Sequence, residues 1–210
     1  MNLRRTIVSV ALMSTVSVFS ATSQAAWIDF TSADWSGVQG QSSFTQDGIT
    51  VSSSNGNMTF NSTGDQQGCK NSGADLACAG DGIGIGDDEI TGQSNQSISV
   101  TFDSAVDIIQ IELLDLFQGE GPAGADEVAV ITVLNIDTTF SNPNQVVGGY
   151  LATGFQANGV TNLTLTAQND SYSDYALARI TTIDVAEPAS FALFGLGLMG
   201  VGALRRRAKK

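Results

Sequence analysis

Ser97-Ile98-Ser99-Val100-Thr101-Phe102, followed after four residues by Asp107-Ile108-Ile109-Gln110-Ile111-Glu112-Leu113-Leu114, decides the fold. The first run alternates strictly and places Ile98, Val100 and Phe102 on one face of a strand. The second reads as a longer strand. Working outward, Glu127 to Ile136 is a third, and Val160 to Ala167 a fourth with Leu163 and Leu165 on one face. Ala176 to Val185 alternates too and closes the sheet. Shorter strands are expected at Trp27–Phe30, Gly48–Ser52, Met58–Phe60 and Val146–Leu151. Gly, Asn, Asp and Ser separate these runs, as turns require. No stretch of residues 26–185 carries a convincing helical period. The expectation is therefore all-β: a two-sheet antiparallel β-sandwich of the jelly-roll or lectin-like kind. An immunoglobulin-like sandwich is disfavoured, because Cys69 and Cys78 are too close in sequence for an inter-sheet pair. The polar, Gly-rich segment from Asn55 to Gly86 reads as an elaborated loop.

Composition narrows the chemistry. The 210 residues include no His, which excludes Ser-His-Asp and Cys-His nucleophiles and His-ligated zinc. Between residues 26 and 185 only Lys70 and Arg179 are basic against 20 acids, a net charge of -18. Such a surface is unsuited to nucleic acid. It invites cations that offset the self-repulsion.

Both ends read as targeting segments. Residues 1–25 form a signal peptide: Arg4 and Arg5, an apolar stretch from Ile7 to about Phe19, then Ser23-Gln24-Ala25 as the small-residue site for signal peptidase, with cleavage after Ala25. Residues 186–210 begin Ala186-Glu187-Pro188, continue through the uncharged run Phe191 to Leu204 and end Arg205-Arg206-Arg207-Ala208-Lys209-Lys210. The run is at the short end of what crosses a bilayer, and the basic cluster after it stays cytoplasmic. A transmembrane helix is expected at about residues 189–204, with a basic tail at 205–210 and residues 26–185 outside.

This tail resembles the PEP-CTERM sorting signal of Gram-negative bacteria. Ala186 stands where the family has its first proline. The resemblance implies recognition at Glu187 and Pro188 and cleavage by an exosortase-type enzyme. It also implies retention by Arg205, Arg206 and Arg207, a transient inner-membrane anchor, and delivery to the cell surface or extracellular space. Proteins of this kind are implied to accompany exopolysaccharide, which makes that polymer an expected partner.

Within the exported domain, Cys69 and Cys78 are the only cysteines, and an oxidising compartment predicts a disulfide. The closed loop of ten residues stabilises by about 2.7 kcal/mol on chain-entropy grounds. The run Asp81-Gly82-Ile83-Gly84-Ile85-Gly86-Asp87-Asp88-Glu89 sets four carboxylates among glycines. Asp81, Asp87, Asp88 and Glu89 are the expected ligands of calcium, which takes six to eight oxygens. Asp126 and Glu127 could complete the set, and no organic cofactor is expected. Tyr172 and Tyr175, in a polar turn, are candidate sugar contacts, whereas Trp27, beside Ile28 and Phe30, reads as core. A glycoside hydrolase needs two carboxyls across a sugar site, but with 20 acids such pairs arise by chance. The expected function is non-enzymatic, in surface or biofilm structure; a calcium-dependent lectin-like module is the alternative, and a secreted hydrolase comes third.

Overall fold

The computed structural model describes residues 25–60, 66–144 and 146–184. In chain order these form β1 (Ala25–Asp29), β2 (Ser43–Gln46), β3 (Ile49–Ser54), β4 (Met58–Thr59), α1 (Gln66–Asn71), β5 (Gly84–Ile85) and β6 (Ser97–Leu114). Then follow β7 (Ala129–Val133), β8 (Ile136–Phe140), β9 (Leu151–Ala152), β10 (Ala157–Ala167) and β11 (Ala176–Asp184). Nine strands join one antiparallel sheet, and β4 pairs separately with β5. The fold is mostly β, consistent with a β-sandwich.

The two runs that open the reading are one 18-residue strand, β6, and it organises everything else. Its first third pairs with β3 on one side and β10 on the other. Its second half pairs with β11, which carries β1 at the outer edge, and its last residues meet β9. Between these halves β10 advances only from Val160 to Asn162 while β6 runs from Val106 to Thr101. That surplus on β6 is a bulged bend, the usual way for a strand to pass from one sheet face to another. A second bulge lies at Ile109: Gln110 faces Thr181 and Ile108 faces Thr182. It explains the adjacent Ile108-Ile109, because the phase of burial shifts there and Ile111 and Leu113 return to the core.

Both halves share one core. Val51, Ile98, Val100, Ile131, Leu163 and Leu165 from one side pack in the same cluster as Ile108, Ile111, Leu113, Leu177 and Ile180 from the other. Phe30 and Trp35 fill one end with ring centroids 4.7 Å apart.

The expected third strand is in fact the hairpin β7–β8. Leu134 and Asn135 both have positive φ, as a two-residue type I′ turn requires. The run Glu127–Ile136 hides this turn because Leu134 is apolar, although it is 76% exposed. The segment from Asn55 to Gly86 holds β4, β5 and the short helix α1. The glycine-rich run is not a surface loop either. Ile83, Ile85 and Ile90 are fully buried, each worth roughly 1.5–3 kcal/mol of burial. Ile83 and Leu177 exchange backbone hydrogen bonds at 2.9 and 3.1 Å, which docks the run on β11. Gly84 is required, since a Cβ there would overlap the Asp88 carbonyl.

Among the described residues no helix is long and apolar enough to cross a membrane. Residues 1–24 of the signal peptide and the helix at 189–204 lie outside the described residues.

Candidate functional site

Two charged centres flank the start of β11. The first is built around the disulfide. Cys69 on α1 and Cys78 are bonded, as the sequence predicts. Asp29, at the end of β1, holds the loop: its Oδ2 accepts from Ala77 N–H at 2.7 Å, and Cys78 N–H donates to Thr31 Oγ1 at 2.9 Å. The disulfide packs on Leu114, Ala176 and Ala178 in a small second core. At its margin Arg179 Nη2 donates to Glu112 Oε1 at 2.7 Å, and Nη1 donates to the Asp75 carbonyl at 2.6 Å. Desolvation works against the Arg179 charge, but Glu112 more than offsets it and holds the guanidinium protonated. Burial and Glu112 push the nearby Tyr150 hydroxyl up to about 12. Arg179 also lies 5.2 Å from the ring centroid of Trp27. Contrary to the core reading, Trp27 is 64% exposed on the edge strand, and Trp35 takes the core position.

The second centre is acidic. Ile90 N–H donates to the Tyr175 carbonyl at 2.7 Å and Gly92 N–H to the Ser173 carbonyl at 3.0 Å. These bonds lay the Asp87–Glu89 turn against the turn that holds Asp174. Desolvation, then Asp174, Asp115, Asp88 and Asp87, push the Glu89 carboxyl up to about 9. Glu127 is 2% exposed. It is likewise pushed to about 9 by burial and by Asp174, against a lowering hydrogen bond from Phe117 N–H. Burial also raises Asp174, as do Asp87, Glu120 and Asp88, while its hydrogen bond with Glu127 works the other way. Asp170 stands apart. Against a raising desolvation, the N–H groups of Ser173 and Tyr172 hold it low, so it shapes the turn as an ordinary carboxylate cap.

Of the expected ligands, Asp87, Asp88 and Glu89 enter this acidic centre. Asp81 is buried, whereas Asp87 is exposed, so the two ends of the run face different surroundings. Glu127 joins the centre, and Asp126 instead accepts from Gly119 N–H at 3.0 Å. Sequence reasoning missed Asp115, Glu120 and Asp174; of these only Asp174 lay within a turn already singled out, between Tyr172 and Tyr175. Among the described residues no three His, Cys, Asp or Glu are arranged to hold a metal ion. Tyr175 must be withdrawn as a sugar contact, because it is fully buried and its hydroxyl donates to the Thr166 carbonyl at 2.8 Å. Tyr172 is half-buried, and its ring lies over Gly121. Ala25 opens β1 opposite Ile183. Glu187, Pro188, Arg205, Arg206 and Arg207 lie outside the described residues.

An antiparallel β domain, disulfide-bonded and strongly acidic, is a suitable body for an exported protein. The PEP-CTERM protein-sorting motif matches residues 184–207, and the chain is therefore an exosortase-processed exported protein. Such proteins are transiently membrane-anchored before they reach the cell surface or extracellular space. No curated protein and no solved structure matches the chain.

Proposed function

We propose that the exported domain is a non-enzymatic structural component of the cell surface or extracellular matrix, associated with exopolysaccharide and charge-neutralised by calcium. The observation that carries this reading is the sorting motif attached to a domain whose carboxylates converge. Asp87, Asp88, Glu89, Asp115, Glu120, Glu127 and Asp174 act on one another through a partly desolvated region. Calcium would supply there the positive charge that the chain lacks, drawing the turns together rather than entering a preformed cage.

The sorting step is tested in the producing cell. Glu187→Ala with Pro188→Ala is expected to leave an uncut, cell-associated chain of higher mass. An unchanged mass and location would remove the basis for the proposal. Loss of matrix cohesion on deletion of the chain, restored by adding back the wild-type protein, is the expected second result. The lectin-like alternative is favoured by one observation, the exposed Trp27, and requires saturable binding that free sugar competes away.

A further inference from the structure

Trp27 borders an open groove of about 310 Å³ on the outer side of β1. Its walls include Trp27, Asp29, Ser32, Asp34, Gln46 and Asp47. The Arg179 guanidinium lies against the indole ring, yet 64% of the residue stays exposed. A large aromatic surface left open beside polar groups suits the apolar face of a sugar ring, which stacks on indole while its hydroxyls reach the rim.

The polar groups choose the kind of sugar. Asp29 is consumed by structure, accepting from Thr31 N–H and Thr31 Oγ1 and from Ala77 N–H. Asp34 and Asp47 are exposed, and each accepts one local bond, from Ser32 Oγ at 3.1 Å and from Gln46 Nε2 at 3.3 Å. Their remaining lone pairs face solvent. The nearest basic side chain, Arg179, is committed to Glu112 and to the Asp75 carbonyl. A uronate would therefore meet uncompensated negative charge, whereas an ammonium group would find two carboxylates. We propose that the groove beside Trp27 binds a glycan bearing free amino groups, its ring stacked on the indole and its ammonium held by Asp34 and Asp47. This rests on the reading that the exported domain works among extracellular glycans. The sorting route is read by location and survives if the groove proposal fails.

The test is a calorimetric titration of the full chain in mild detergent with short oligomers of glucosamine, N-acetylglucosamine and galacturonate. The chain has two tryptophans, and buried Trp35 also lines the groove, so a saturable emission shift is assigned to Trp27 by its loss in Trp27→Phe. The expected result is saturable binding of the glucosamine oligomer and none of the galacturonate. Binding should weaken about tenfold in Trp27→Ala, the scale of a lost aromatic stack, and recover in Trp27→Phe. Asp34→Asn with Asp47→Asn should weaken it about threefold or more, as exposed charge pairs do. Three results would overturn the proposal, the first two being Trp27→Ala binding as the wild type does and the acetylated oligomer binding as tightly as the free amine. Equal competition by polylysine would do the same, because bulk charge would then suffice. Should Trp27→Ala fail to fold, the asparagine pair, at exposed positions, decides.

Discussion

Arg179–Glu112 and Glu89–Glu127–Asp174 are buried to similar depth on either side of the start of β11, and their charges have opposite consequences. In the first, Glu112 is 4% exposed and meets a guanidinium at 2.7 Å. In the second, carboxylates face carboxylates, and two glutamates are driven to about 9. Desolvation disfavours charge in both. What differs is whether the neighbour answers it, and so one centre is a lock while the other waits for protons or cations.

The largest expected effect comes from breaking the matched centre. Arg179→Met leaves Glu112 buried and unanswered and should destabilise by about 3–5 kcal/mol, whereas Arg179→Met with Glu112→Leu should recover most of that. Chemical denaturation checks both. Equal losses in the single and double variants would mean that the pair matters by volume and not by charge. Replacing Cys69 and Cys78 by serine should cost about 2–4 kcal/mol and should lower the additional cost of Arg179→Met, since the disulfide loop supplies the Asp75 carbonyl.

The acidic centre should answer to pH in the opposite sense to an ordinary ion pair. Glu89 and Glu127 titrate near 9 folded against 4.5 unfolded. Between those values the native state holds protons that the unfolded chain has released, so stability falls as pH rises through that window. The melting temperature in chelator should climb from pH 8 to pH 5.5 and level off near 4.5. Glu89→Gln with Glu127→Gln should flatten the climb and raise stability at pH 8 by about 1–2 kcal/mol, less than the full shift because the centre is partly solvated. A slope unchanged by the pair would place the titration elsewhere. Smallest is the calcium effect: a rise of a few degrees at pH 8 with millimolar calcium, about 1–3 kcal/mol by linkage. It should shrink at pH 5 and disappear in Glu89→Gln with Asp174→Asn.

Much of the architecture was legible because alternation is a local signal. Ile98, Val100 and Phe102 announce their face without help from the rest of the chain. The bulge at Ile109 was written in adjacent isoleucines. The turn at Leu134-Asn135 was hidden because an apolar residue occupies a position set by backbone dihedrals. The acidic centre was legible only as far as it is contiguous. Asp87 to Glu89 stand out by composition, but Asp174 is brought to them by the bonds from Ile90 and Gly92, and Glu127 is held beside that turn by the bond from Val128 N–H to Ser173 Oγ. Tyr175 was misjudged for the same reason: a polar turn in sequence is not an exposed turn when its tyrosine hydroxyl finds the Thr166 carbonyl.

The pairing of β1 with β11 sets Ala25 opposite Ile183 and ties the order of synthesis to the order of folding. Among the described residues, the first strand to be made has for its sole partner the last one. Contacts of such long sequence separation form slowly and only once the intervening chain is present. Until β11 arrives, β1 holds an open edge, Trp27 lacks its guanidinium, and the disulfide loop lacks the surface it packs on. The sheet can close, then, only after β11, the strand that runs directly into the sorting motif at residues 184–207, has been made.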